Sequence, residues 1–326
     1  MKAAVRTGLL GLTLSFKPNH PSSLPANDLR PNEVLLRVKS AAINPVDYKL
    51  PRLIAGKVVG IDVSGIVEKV GKDVTYFQEG DSVFGRAIDG KGTFSGSLAE
   101  YTVANQDEIA KKPDYLEFDE AAALGTAYLT GMNSLRDAGK VKEGSVVLII
   151  GASGGCGLAG CQIAKSFGAG RVVGICSGKN FEFVRENGGV EELVDYTDAE
   201  SVHKFVEENA GKFDCIYDTA TGSGNGEDYL STAVPALLKA DGKYVQINGK
   251  ASVWLRKFAG KETEHRTLVV TESKARRDLE RVAALLEKSN TKPYLNIKKF
   301  DEAGVHEGLK ALKERYTKGK IVFGIA

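Results

Sequence analysis

The segment VVLIIGASGGCGLAGCQIAK, Val146–Lys165, limits most tightly how this chain can fold. A short aliphatic run ends in a turn with four glycines in seven positions, Gly151–Gly157, and an amphipathic stretch follows. Strand, glycine turn and helix in that order make the first half of a βαβ unit. Such units stack into a parallel sheet with helices on both faces.

The residues that follow continue the alternation. Apolar runs over Arg171–Cys176, Glu192–Tyr196, Phe213–Asp218 and Lys243–Ile247 read as strands, and amphipathic segments over 180–189, 199–210 and 227–240 read as helices. Upstream the pattern differs. Lys2–Val5, Val34–Ile43, Val63–Gly71, Gly80–Gly85 and Ser95–Ala104 are β-prone pieces broken by Gly, Pro and Asn. Phe118–Gly139 reads as a helix with Asp119 and Glu120 in its first turn, where negative charge is favoured. The tail adds a strand over Arg266–Glu272, helices over 278–289 and 303–316, and a last strand over Gly319–Ile325 that rejoins the first domain. The fold class is α/β: an irregular β domain followed by a doubly wound parallel sheet.

Three patterns overlap in GASGGCG. From Ala152 it spells AxGxxG, a dinucleotide fingerprint with alanine in the first place. From Gly151 it spells GxxxGxG, the short-chain dehydrogenase spacing, and also GxSxG, a hydrolase nucleophile elbow centred on Ser153. The elbow needs a histidine and an acid downstream. His203 falls inside an expected helix, His306 begins one, and His265 lies in a charged stretch. The short-chain reading needs YxxxK, and Tyr316 and Lys320 match those letters. They stand at the extreme C-terminus, however, and read as a surface helix end and strand start. The dinucleotide reading fits best, because the turn opens a whole series of βα units. It assigns Ser153, Gly154, Gly155, Cys156 and Gly157 to a pyrophosphate.

The second strand bears on which dinucleotide. It ends ICSGKN, without the acid that would bond a ribose 2′-hydroxyl. Ser177, Lys179 and Asn180 there, with Tyr196 after the third strand, suit a 2′-phosphate, so the expected cofactor is NADP(H).

Composition narrows the class. A chain of 326 residues suggests two domains, and a net charge of +2 gives no pull toward nucleic acid. No stretch of ~18 apolar residues predicts a membrane span. The N-terminus does not read as a signal peptide, so the cytoplasm is expected, with a chloroplast or other organelle as the alternative. Cys156, Cys161, Cys176 and Cys215 lack CxxC spacing and read as core fillers. The four histidines are isolated, and no metal site is expected.

The motifs AAINPVDYKL (Ala41–Leu50), GIDVSGIVEKVG (Gly60–Gly71), GDSVFG, SLAEY, GASGGCG and GKIVFGI together cover both ends and the middle of the chain. In them the chain resembles the medium-chain dehydrogenase/reductase superfamily, in its zinc-independent quinone oxidoreductase branch. NPVDYK and CSGKN are most like the plant and algal alkenal/enone reductases and chloroplast-envelope quinone oxidoreductases. The resemblance implies a GroES-like domain over 1–122 and 262–326 around a Rossmann domain over 123–261. Zinc-dependent relatives carry Cys where this chain has Asn44 and His where it has Ile61, and a third Cys in a region, AALGTA, that here has none.

Without a Lewis acid, alcohol oxidation is disfavoured, and reduction of quinones or of C=C bonds conjugated to a carbonyl is favoured. The resemblance places Asn44, Tyr48 and Lys49 as donors to substrate, nicotinamide or its ribose. It adds Thr126, Thr219, Ala220, Ile247, Asn248, Phe323 and Gly324 as cofactor contacts. The expected partner is a small quinone or enone, and the expected assembly a homodimer or monomer. Two alternatives remain: an enoyl-thioester reductase, and an NADPH-binding protein with a structural or regulatory role.

Overall fold

A computed structural model describes residues 1–7, 13–20, 29–49, 58–220, 234–248, 251–261, 266–268, 275–315 and 317–325. The chain divides into a β unit (Met1–Leu129, Glu272–Glu287, Lys292–Ala326) and a parallel-sheet unit (Thr130–Thr271, Lys288–Thr291). Among the described residues no helix is long and apolar enough to cross a membrane.

In the β unit, β1 (Ala3–Thr7) pairs antiparallel with β2 (Thr13–Lys17). Then come β3 (Glu33–Ile43), the short helix α1 (Pro45–Lys49), β4 (Asp62–Val70), β5 (Ser82–Arg86), β6 (Tyr101–Asn105) and β7 (Ile109–Lys111). The strand expected from Ser95 begins only at Tyr101. The single helix expected over 118–139 is broken into α2 (Phe118–Ala123) and α3 (Gly125–Met132), followed by one wide turn. The cause is local. A Cβ at Gly125 would lie 2.6 Å from Asp62 Oδ1, and that carboxylate accepts the backbone N–H of Thr126 at 2.7 Å. Asp62 thus supplies the partner that the first turn of a new helix needs.

The parallel-sheet unit runs β8 (Val146–Ile150), α4 (Gly155–Ser166), β9 (Arg171–Cys176), α5 (Phe181–Gly188), β10 (Glu192–Asp195), α6 (Ala199–Glu208) and β11 (Phe213–Asp218). It continues with α7 (Val234–Leu237), β12 (Leu238–Gln246), α8 (Ala251–Phe258) and β13 (Arg266–Leu268). Strand order is β10-β9-β8-β11-β12-β13, parallel throughout. This is the doubly wound order of dinucleotide-binding sheets, with its switch point between β8 and β11. Buried Leu148, Ile150, Val173, Ile175, Phe213 and Ile216 form the core on these strands. The sheet takes β13 as a sixth strand, beyond the division at residue 261 expected from sequence. Of the helix expected over 227–240, residues 227–233 lie outside the described residues and 238–240 belong to β12.

The chain then returns to the β unit with α9 (Arg276–Lys288), β14 (Leu295–Lys299), α10 (Glu302–Glu314) and β15 (Lys320–Gly324). On α9, Leu279, Val282, Ala283 and Leu286 are buried, one apolar face at helical spacing. The large sheet runs β14-β15-β3-β4-β5-β7, with β6 also on β3. The last strand lies antiparallel to β3, Ile321 opposite Ile43. That pairing brings the chain's C-terminal residues beside Asn44.

Candidate functional site

The glycine turn sits at the carboxyl end of β8, at the switch point. Gly151 has φ +83°, and a Cβ there would lie 2.6 Å from Thr219 Oγ1. A Cβ on Gly157 would lie 2.0 Å from the Gly151 carbonyl, so only glycine lets α4 start this close under the turn. Gly154 is the extended residue before α4 and has no side chain with which to cap it. The N–H groups of this first turn stand at the positive end of the helix, where an anion is favoured. Asn180 Nδ2 donates to Ser153 Oγ at 3.2 Å, so two distant sequence candidates meet. Asn180 Oδ1 is buried with no hydrogen-bond partner among the described residues.

Ser177, Gly178, Lys179 and Asn180 form a tight turn after β9, with Lys179 exposed. An acid missed by sequence reasoning stands here. A Cβ at Gly178 would be 2.4 Å from Asp195 Oδ2, at the end of β10. Burial pushes the Asp195 carboxyl up, but hydrogen bonds from Thr197 and the Gly178 N–H outweigh it and hold the pKa below the usual value. Tyr196 beside it is exposed. The signal was present in ELVDY, but only the register of β10 on β9, Asp195 opposite Cys176, shows where the acid lands.

Thr219, Ala220, Ile247 and Asn248 collect around buried Asp218 at the ends of β11 and β12. Asp218 Oδ1 accepts the Ala220 N–H at 2.9 Å, its Oδ2 accepts the Tyr244 hydroxyl at 2.6 Å, and its carbonyl accepts the Ile247 N–H at 3.2 Å. Thr219 Oγ1 donates to the Ile150 carbonyl at 2.8 Å, and Asn248 Nδ2 donates to the Thr219 carbonyl at 3.3 Å. Thr219 and Asn248 thus fasten this rim to β8.

In the β unit a second cluster forms around Asn44. Its N–H donates to Asp47 Oδ2 at 2.7 Å while the Asp47 N–H donates back to the Asn44 carbonyl at 3.0 Å, which starts α1. Asn44 Nδ2 donates to Asp62 Oδ2 at 2.9 Å. Lys320 Nζ donates to Asn44 Oδ1 at 2.6 Å, to Asp62 Oδ2 at 2.9 Å and to the Ile43 carbonyl at 3.2 Å. Thr126 turns both its N–H and its hydroxyl to Asp62 Oδ1. Lys320 is 5% exposed, which corrects its reading as a surface strand start. The cause is the antiparallel seat of β15 on β3, which the sequence does not state. Tyr316 lies outside the described residues.

Burial, above all, lifts the Asp47 carboxyl to about 7. The Asn44 N–H opposes the shift, Asp62 adds to it, and Lys320 and Arg6 oppose it. Arg6 donates to the Asp47 carbonyl. Asp47 Oδ1 and Arg6 Nε are buried with no hydrogen-bond partner among the described residues. Tyr48 is half-buried against the core and α10, with Lys313 Nζ 5.9 Å from its ring centre. Burial raises its phenol pKa, with Arg315 opposing. Lys49 is exposed as a whole, but partial burial of its charge and then Arg315 lower its pKa. The Phe323 side chain is wholly buried in the core, so only its backbone can meet a ligand, while Gly324 is exposed.

A hydrolase does not fit. Ser153 takes the Asn180 amide, and His203 stands on α6, exposed, 3.5 Å from Glu207 of its own helix. His306 is exposed in the other unit, and His265 lies outside the described residues. A zinc ion does not fit either. Ile61 is a buried aliphatic side chain, and the Asp62 carboxylate beside Asn44 already holds the Lys320 cation. Among the described residues no group of three or more His, Cys, Asp or Glu could hold a metal.

Comparison with known proteins agrees with this layout. Residues 30–114 match the Alcohol dehydrogenase GroES-like domain, and residues 188–323 match the family described as Zinc-binding dehydrogenase. The chain is 36% identical over 240 residues to the 2-methylene-furan-3-one reductase of Solanum lycopersicum, covering 70% of this chain and 58% of that one. It is 35% identical over 179 residues to the quinone oxidoreductase of Sus scrofa, covering 53% of each. The matched stretch therefore spans little more than half of these relatives. The solved quinone oxidoreductase of Coxiella burnetii superposes with a TM-score of 0.78 at 26% identity, over 100% of this chain and 99% of that one.

Proposed function

The chain belongs to the medium-chain dehydrogenase/reductase family, and from that premise we propose that it is a zinc-independent, NADPH-dependent reductase of quinones or of the C=C bond of α,β-unsaturated carbonyls. The observation that carries the reading is the Lys320–Asp62–Asn44 cluster, where an amide stands at a position that relatives give to a metal ligand and a fixed cation sits beside it.

Held on the glycine turn, the cofactor supplies a hydride to the electrophilic carbon of the acceptor. The chain's own groups do the rest. The first turn of α4 takes the pyrophosphate through its N–H groups. Lys179 and Ser177 offer a cation and a hydroxyl to a 2′-phosphate. Negative charge then gathers on the acceptor's carbonyl oxygen, where a fixed donor lowers the barrier. Asn44 keeps one amide N–H beyond its bond to Asp62, and Tyr48, its pKa raised, holds its proton at neutral pH. Lys49 adds a third donor. Reduction of the C=C bond ends with one proton delivered to the α-carbon, taken from solvent.

A second reading of the cofactor rests on Asp195. A carboxylate beside Gly178 suits a ribose 2′-hydroxyl and hence NADH. Against it, that carboxylate is tied to Thr197 and Gly178, which makes it part of the turn. The test is an assay of NADPH and NADH oxidation over quinones, small enones, long alkenals and enoyl-CoA. Turnover of a quinone or free enone with NADPH preferred is expected. Turnover confined to enoyl-CoA supports the thioester reading, and tight cofactor binding with no turnover supports a binding role. Either of those two outcomes overturns the proposal.

A further inference from the structure

The side-chain amide of Asn44 has a donor end and an acceptor end, and each meets a neighbour of fixed character. Asp62, an ionised carboxylate, only accepts; Lys320, an ammonium, only donates. Asp62 Oδ2 lies 2.9 Å from Nδ2 and Lys320 Nζ lies 2.6 Å from Oδ1. Turning the amide over would set N–H against ammonium and C=O against carboxylate, so one orientation alone survives. The two charges also hold each other at 2.9 Å, and Thr126 and the Ile43 carbonyl fix them from outside. Asp62 is fully buried and Lys320 5% exposed, so water does not screen the arrangement. The backbone of Asn44 is fixed separately, by its exchange with Asp47.

We propose that Lys320 and Asp62 are positioning residues for the reaction: they lock the Asn44 amide in one orientation, with its second N–H held ready for a carbonyl oxygen. This rests on the reading of Asn44 as the donor to the acceptor or the nicotinamide amide. Neither charged residue touches the substrate. Their contribution is that the donor needs no reorientation when charge develops.

Removing one charge alone would strand the other, so the test uses the neutral pair Asp62→Asn/Lys320→Met, of nearly unchanged volume, beside Asn44→Ala and the triple variant. The double variant should lose about ten-fold or more in kcat, with its NADPH dissociation constant within about two-fold of wild type. The triple variant should be no slower than Asn44→Ala, because the pair acts only through Asn44. Lys320→Arg, which keeps the charge, should keep most of the rate.

A folded double variant with wild-type kcat, or losses that multiply in the triple, overturns the proposal. A readout independent of turnover is the side-chain amide resonance of Asn44 in nitrogen-15 spectra, assigned by its disappearance in Asn44→Ala. Two well-separated proton signals, slow to exchange with water, are expected in wild type and lost in the double variant. Fast exchange in wild type overturns the lock, even if the double variant does not fold. If wild type reduces no quinone or enone, the functional reading fails, while these signals still decide whether the lock exists.

Discussion

The two units build their candidate sites from different materials. In the parallel-sheet unit the site after β8 is main chain: N–H groups at the start of α4, glycines beneath them, and no charged residue in the first helical turn. In the β unit the site is side chains. Arg6, Asp47, Asp62 and Lys320, all nearly inaccessible, surround one asparagine. A backbone cradle recognises any suitably placed anion and carries no charge that must be stripped of water. A buried charge cluster is costly to desolvate, but it fixes direction, because each partner tolerates only one geometry. The first arrangement suits holding a ligand, and the second suits aiming a group.

The contrast breaks most visibly at Lys320. Lys320→Met alone leaves Asp62 buried and uncompensated, which should cost about 3–5 kcal/mol in urea denaturation. The neutral pair Asp62→Asn/Lys320→Met should recover most of that loss. A single substitution costing less than about 1 kcal/mol would mean that the cluster is not held by buried charge, since that is no more than an exposed pair is worth.

The pH dependence of stability sharpens the same point. The folded pKa of Asp47 lies above its unfolded value, at about 7. As pH rises, the unfolded chain therefore gives up the proton first. Stability from this group is greatest at low pH, falls from about pH 4 to about pH 7, and is level above that. Asp47→Asn should abolish this slope. Its stability relative to wild type should grow by about 1.4 kcal/mol per pH unit through the window, about 4 kcal/mol in all. A constant difference across that window would contradict the placement of a neutral, buried carboxyl at the start of α1.

The parallel-sheet unit should respond more mildly, and selectively. Lys179→Ala should weaken NADPH by about five- to ten-fold, roughly 1 kcal/mol, and leave NADH nearly unchanged. Asp195→Asn should shift the ratio toward NADPH. Equal loss of both cofactors in Lys179→Ala, read by calorimetric titration, would remove the 2′-phosphate assignment.

What could be read from the sequence follows the same division. The glycine turn is local: strand, bend and helix are contiguous, and the glycines announce the close approaches at Gly151 and Gly157. The alternation after it gives the bounds of the strands at Arg171–Cys176 and Phe213–Asp218, whereas β12 begins at Leu238, five residues ahead of the expected Lys243. The cluster around Asn44 is not local. Asp62 is 18 residues away and Lys320 is 276 away in the chain, and they meet only through the antiparallel seats of β4 and β15 on β3. A lysine at the start of a final strand gives no sign of burial in its own sequence. Asp195 eluded the reading for the same reason, since register, and not composition, brings it to Gly178. The break of the 118–139 helix likewise depends on a distant carboxylate.

The central claim is that a nicotinamide dinucleotide lies on the turn after β8, and Gly157 is the place to test it. A Cβ there would sit 2.0 Å from the Gly151 carbonyl, so Gly157→Ala must push the turn away from α4. Titration of NADPH against wild type and Gly157→Ala, followed by cofactor fluorescence, should show saturable binding to the first and at least about ten-fold weaker binding to the second, 1.4 kcal/mol or more. No binding to wild type, or equal binding to both folded proteins, would contradict the account.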